Sequence, residues 1–78
     1  MKDIYIVHVD GYIGAYYKGR CPMISYAPQD KFVDFVKGLI DDYPEYRLRC
    51  VSNQKIENKV RQRMVLDRKI QKYFTQTR

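Results

Sequence analysis

Residues Asp3–Lys18 read DIYIVHVDGYIGAYYK. Two runs rich in β-branched residues and tyrosine, Asp3–Val9 and Tyr12–Lys18, flank the dipeptide Asp10-Gly11. Such a dipeptide suits a two-residue type I′ turn, whose central residues both need positive φ. With a two-residue loop, facing position numbers sum to 21. Tyr5 then faces Tyr16, His8 faces Ile13, Val9 faces Tyr12, and Asp3 faces Lys18. The Tyr5–Tyr16 and Asp3–Lys18 pairs are aromatic and opposite in charge, both favourable across strands. Gly14 falls opposite Val7 and leaves a gap on that face.

Beyond the hairpin, Gly19-Arg20-Cys21-Pro22 reads as a turn and Met23–Tyr26 as a short third strand. Pro28 and Asp30 open a helix in which Phe32, Val33, Phe35, Val36, Leu39 and Ile40 follow the spacing of one buried face. Asp41-Asp42-Tyr43-Pro44 ends it, because the residue before proline is driven out of the helical region. Two acids at a helix C-terminus oppose the macrodipole and call for a local basic partner. Tyr46–Val51 alternates, with Tyr46, Leu48 and Cys50 on a half-buried face and Arg47 and Arg49 on the other. Ser52-Asn53 caps a helix over about residues 54–74, in which Ile56, Val60, Met64, Leu66, Ile70, Tyr73 and Phe74 gather on one half. Arg61, Arg68, Lys69 and Lys72 gather on the opposite half around Val65, and Arg63 and Asp67, four apart, are placed to pair. The order ββ(β)αβα makes residues 1–78 a single α+β domain. At 78 residues the core is small, so a homodimer through part of the long helix suits the chain.

No apolar run approaches the ~20 residues of a membrane-spanning helix, and Ile4–Val9 is too short for a signal-peptide core. The expected location is therefore cytoplasmic. Two cysteines and one histidine do not make a closed zinc site, and neither metal nor cofactor is expected. In a reducing cytosol Cys21 and Cys50 are expected as two buried or partly buried thiols. Gly11, Gly14 and Gly19 do not open a helix after a strand, so they are turn and bulge residues and not a phosphate loop. His8-Val9-Asp10 sets an imidazole and a carboxylate at a strand end, with both side chains directed to one face near the turn. A histidine so placed can act as a general base, but no nucleophile or second histidine accompanies it, and the chain reads as a non-enzyme.

The informative feature is charge. Residues 1–45 hold five basic and seven acidic side chains, a net of −2, whereas residues 46–78 hold ten basic and two acidic ones, a net of +8. Together these account for the formal net charge of +6. Such asymmetry aims a surface at a polyanion or an acidic partner. Eight tyrosines without a tryptophan add stacking capacity, and Tyr5, Tyr12 and Tyr16 share one face of the hairpin. If Arg47 and Arg49 join that face, unpaired bases find rings to stack on and guanidiniums to hold their phosphates. Arg61, Arg68, Lys69 and Lys72 then add a line of phosphate contacts along the long helix. The expectation is a small basic DNA- or RNA-binding protein. The alternative is a phage-type or mobile-element inhibitor or adaptor that docks on an acidic surface of a protein partner, where tyrosine and arginine dominate interface energetics.

Overall fold

A computed structural model describes the backbone of residues 2–76 and the side chains through residue 70. Asp10 and Gly11 turn the chain with φ of 51° and 79°, the positive pair that a type I′ turn needs. On either side run β1 (Lys2–Val9) and β2 (Tyr12–Tyr17). Their antiparallel register pairs Tyr5 with Tyr16, Val7 with Gly14, His8 with Ile13 and Val9 with Tyr12. The pairing stops at Tyr5–Tyr16, so Asp3 does not meet Lys18; its carboxylate turns to Arg47. β3 (Met23–Pro28) adds antiparallel to β2 and is two residues longer than its apolar pattern implies.

A 3-10 turn at Gln29–Lys31 leads into α1 (Phe32–Asp42). The Gln29 amide donates to the Gly11 carbonyl at 3.0 Å, which ties this entry to the hairpin turn. α1 carries the chain across one face of the sheet to β4 (Tyr46–Cys50), which lies parallel to β1 on its free side. The sheet order is β3-β2-β1-β4, an α+β arrangement with the element order read from the sequence. α2 (Gln54–Gln76) then packs on the opposite face. Asn53 caps it, its Oδ1 accepting from the amides of Lys55 and Ile56 at 3.0 and 3.2 Å. Among the described residues no helix is long and apolar enough to cross a membrane.

Because helices cover both faces, β1 is buried on both. Ile4, Ile6, Ile13, Ala15 and Leu39 form the α1-side core, and Val7, Val9, Val60 and Met64 the α2-side core. Each aliphatic side chain of this size stabilises the fold by ~1.5–3 kcal/mol when fully buried. Tyr17, Tyr43 and Tyr46 close one end of the α1 side, edge to face at 5.0 and 5.5 Å. On the other side the gap at Gly14 is filled: a Cβ there would lie 2.6 Å from Val60 Cγ1. The helix thus approaches the sheet as closely as glycine permits.

Both apolar helix faces are narrower than their sequence patterns imply. Val33 and Ile40 are 62% and 53% exposed, because they sit about 120° and 100° around α1 from the buried Leu39. Phe32 is 38% exposed and stacks on His8, with ring centroids 6.5 Å apart. On α2, among the described residues of the expected set, only Ile56, Val60 and Met64 face the sheet. Leu66 lies about 120° around from Val60 and is half exposed. Ile70 is exposed because the helix outruns the sheet. Twenty-three residues span about 34 Å, against about 14 Å between the outer strands of a four-stranded sheet. Tyr73 and Phe74 lie outside the described side chains. Cys21 and Cys50 are both free and exposed rather than buried.

Gly14→Ala is expected to destabilise the fold by ~1–3 kcal/mol through the clash with Val60, measured by urea denaturation. Adding Val60→Ala should make the double variant less unstable than the sum of the two single effects. Simple additivity would show that the contact is not what matters at Gly14.

Candidate nucleic-acid interface

α2 crosses its sheet face near the hairpin turn. From one flank Arg61 reaches Asp10 in the turn, with Nε to Oδ2 at 2.8 Å. From the other flank the Lys59 ammonium donates to the Tyr16 hydroxyl at 3.0 Å. The rest of that face carries the registers Asp3↔Arg47 and Tyr5↔Arg49, and parallel pairing brings these four residues to the same side. The sheet therefore does set Arg47 and Arg49 beside Tyr5, both arginines exposed and the tyrosine half-buried.

Between this strip and the first turns of α2 lies a hollow of about 320 Å³. The rings of Tyr5 and Tyr16, with Val51 and Ile56, form its apolar part, and the exposed Lys18, Lys55 and Lys59 line it as well. None of these lysines forms an ion pair among the described residues. Tyr16 is buried, with its ring centroid 5.1 Å from the Lys59 ammonium, so Tyr5 is the ring a ligand would meet first.

The arginines are more engaged. Arg47 grips Asp3 through Nε at 3.0 Å and Nη2 at 3.3 Å, and Arg49 lies 3.6 Å from the same carboxylate. The hydrogen bond from Arg47 holds the Asp3 carboxyl below its ordinary pKa. Asp3 holds the two guanidiniums on the edge strand beside Tyr5 and leaves the trio with one net positive charge. Arg61 is tied to Asp10, whose pKa its hydrogen bond likewise lowers, and to Asn58 at 2.9 Å. Arg63 pairs with Asp67 at 3.3 Å, and that carboxylate also accepts from the Tyr26 hydroxyl at 2.8 Å.

The other expected contacts do not join this site. Tyr12 lies under α2, edge-on to Tyr26 at 6.1 Å. Arg68 and Lys69 are exposed farther along α2, and the Lys72 side chain lies outside the described residues. The basic side chains of α2 therefore divide between several surroundings rather than forming one line. Asp41 and Asp42 find no basic partner among the described residues. His8 and Asp10 also part: His8 stacks on Phe32 of α1, whereas Asp10 takes Arg61 of α2 across the sheet. The positive φ of Asp10 breaks the alternation that would have aligned them.

Lys18, Lys55 and Lys59 were not among the residues picked from the sequence, although their placement left traces there. Lys18 is two residues beyond Tyr16 and thus on its side of the hairpin, while Lys55 and Lys59 have the i,i+4 spacing of neighbours on a helix. What the residues form is a shallow aromatic cleft lined by three exposed lysines, with a carboxylate-anchored pair of guanidiniums on the neighbouring edge strand. Such a combination can take a flat ring with anionic groups on either side.

Asp3 and Asp10 have lowered pKa values in the folded chain. Their stabilising effect is present above the ordinary aspartate pKa of ~3.9 and is lost as pH falls through the lower folded values. Arg47→Gln is expected to move the Asp3 titration, followed by carboxyl NMR, up toward the ordinary value while Asp10 stays put. An unmoved Asp3 would show that Arg47 does not hold the carboxylate in solution.

No protein-family model matches this chain, and no curated protein and no solved structure matches it either, so the site's geometry is what a functional reading stands on.

Proposed function

We propose that this protein binds single-stranded nucleic acid across the cleft between the β1–β4 strip and the start of α2. The observation that carries this reading is the convergence, on a hollow walled by Tyr5 and Tyr16, of three lysines with no carboxylate partner among the described residues. In this arrangement a base lies against Tyr5 and the flanking phosphates meet Lys18, Lys55 and Lys59. Arg47 and Arg49 extend the track along the edge strand. A duplex, with its bases stacked inside, has no ring to offer the hollow, so single strands are preferred. The chain acts as a binding module, and the work of binding falls on phosphate contacts and stacking.

This assignment shifts the interface from the one expected along α2. Arg61 is committed to Asp10, and Arg68 and Lys69 stand away from the hollow, so none of the three is central to binding. An acidic protein surface is the competing ligand for the same cations, and it differs from nucleic acid in having no base for Tyr5.

Fluorescence anisotropy with labelled single-stranded DNA, RNA and duplex DNA at several salt concentrations tests the proposal. Replacing Lys55 and Lys59 by glutamine should reduce the salt slope by about 0.7 per lysine. Arg68→Gln should leave it nearly unchanged. Tyr5→Leu should weaken single-strand binding by ~1–3 kcal/mol and leave duplex binding unaffected. An equal loss from Arg68→Gln and Lys59→Gln would return the interface to the outer side of α2. Absence of binding at low salt, combined with tight capture of one acidic protein, would replace nucleic acid by a protein partner.

A further inference from the structure

The outer sides of the two helices lie on opposite faces of the sheet and carry opposite charge. On α1 and its entry turn, Asp30, Asp34, Asp41 and Asp42 face two lysines, Lys31 and Lys37, and none of these acids is ion-paired among the described residues. The exposed Val33 and Ile40 stand next to Asp34 and Asp41, with Lys37 between them on the helix surface. On α2, Val65 and Leu66 are 46% and 50% exposed and border a shallow depression of about 410 Å³ with Arg61 and Lys69. Arg68 and Ile70 are exposed nearby.

We infer that the α1 surface of one molecule docks on the α2 surface of a second copy. Each surface offers an exposed apolar pair, which a small soluble domain leaves open at a cost in solubility. The charges decide which surface meets which. Two α2 surfaces brought together would set Arg68 and Lys69 against their own counterparts, and two α1 surfaces would oppose their aspartates. Of the three pairings, only α1 with α2 brings surfaces of opposite net charge together at the two apolar pairs. The contact is therefore heterologous: a docked pair keeps one unused α1 surface and one unused α2 surface, and association continues into a chain or closes into a ring. This surface lies apart from the Tyr5 hollow and does not depend on its ligand. A chain of copies would set the hollows in a row.

Sedimentation velocity of the full chain over a range of concentrations and salt tests the inference. The average mass should rise past that of a dimer with concentration and fall as salt screens the charges. Val33→Gln with Ile40→Gln disables the α1 surface, and Val65→Gln with Leu66→Gln the α2 surface. All four positions are exposed, and circular dichroism checks that both double variants keep the fold. Each variant alone should be monomeric. An equimolar mixture should stop at a one-to-one complex, because one intact α1 surface meets one intact α2 surface and nothing remains to extend it. A two-fold dimer that survives in the α1 variant but not in the α2 variant would overturn the inference. So would a wild-type chain that stays monomeric at the highest concentration tested.

Discussion

The seating of α2 depends on one close contact, the side chain of Val60 in the space where Gly14 has none. Any larger residue on β2 at that point would lift the helix from the sheet and open the core of Val7, Val9, Val60 and Met64. The same contact sets the helix's path. With Val60 over β2, one flank of the helix brings Arg61 to the hairpin turn and the other brings Lys59 to Tyr16. The strip holding Tyr5, Arg47 and Arg49 is then left beside the helix rather than under it. The cleft follows from the packing and has no separate scaffold.

Charge is distributed by a second rule, the length and reach of the side chains. Three aspartates on the α2 side of the sheet are taken by guanidiniums: Asp3 by Arg47 and Arg49, Asp10 by Arg61, and Asp67 by Arg63. A guanidinium's planar fork of donors suits a carboxylate better than an ammonium does. Among the described residues the lysines around the hollow have no such partners, so the most available positive charge there is not where basic residues are densest in the sequence. The acids of α1 lie across the sheet, beyond the reach of these cations, and the molecule is left with two faces of opposite sign. Both proposals draw on that polarity, one for a polyanion and one for a second copy.

Much of the fold follows from local patterns. The Asp10-Gly11 turn, the hairpin register, the alternation in Tyr46–Cys50 and the Asn53 cap each depend on neighbours in sequence, and the structure contains all of them. The tyrosines mark the boundary of such reasoning. Their number hinted at stacking, yet Tyr17, Tyr43 and Tyr46 pack on one another at one end of the α1 side, Tyr12 packs against Tyr26, and Tyr16 is buried. Only Tyr5, of the three proposed to stack, lies half-exposed with arginines at its side. A side chain's residue type states what it can do, whereas its exposure depends on which helix passes over it.

By itself, the sequence determined the α+β element order, the hairpin and its register, the face that Arg47 and Arg49 share, and the excess of positive charge in the C-terminal part of the chain. These rest on backbone periodicity, on turn residues able to adopt positive φ, and on simple counts of charge. Tertiary structure alone decided that β4 lies parallel beside β1 and that α2 crosses the turn end of the sheet. It also decided that Leu66 and Ile70 stay exposed, and that three lysines converge on Tyr5 while four arginines are held by aspartates. The reason is physical: these outcomes depend on contacts between residues about forty to fifty positions apart, such as Val60 with Gly14 and Arg61 with Asp10, and on a helix longer than the sheet it covers. No periodicity in a single segment encodes either of them.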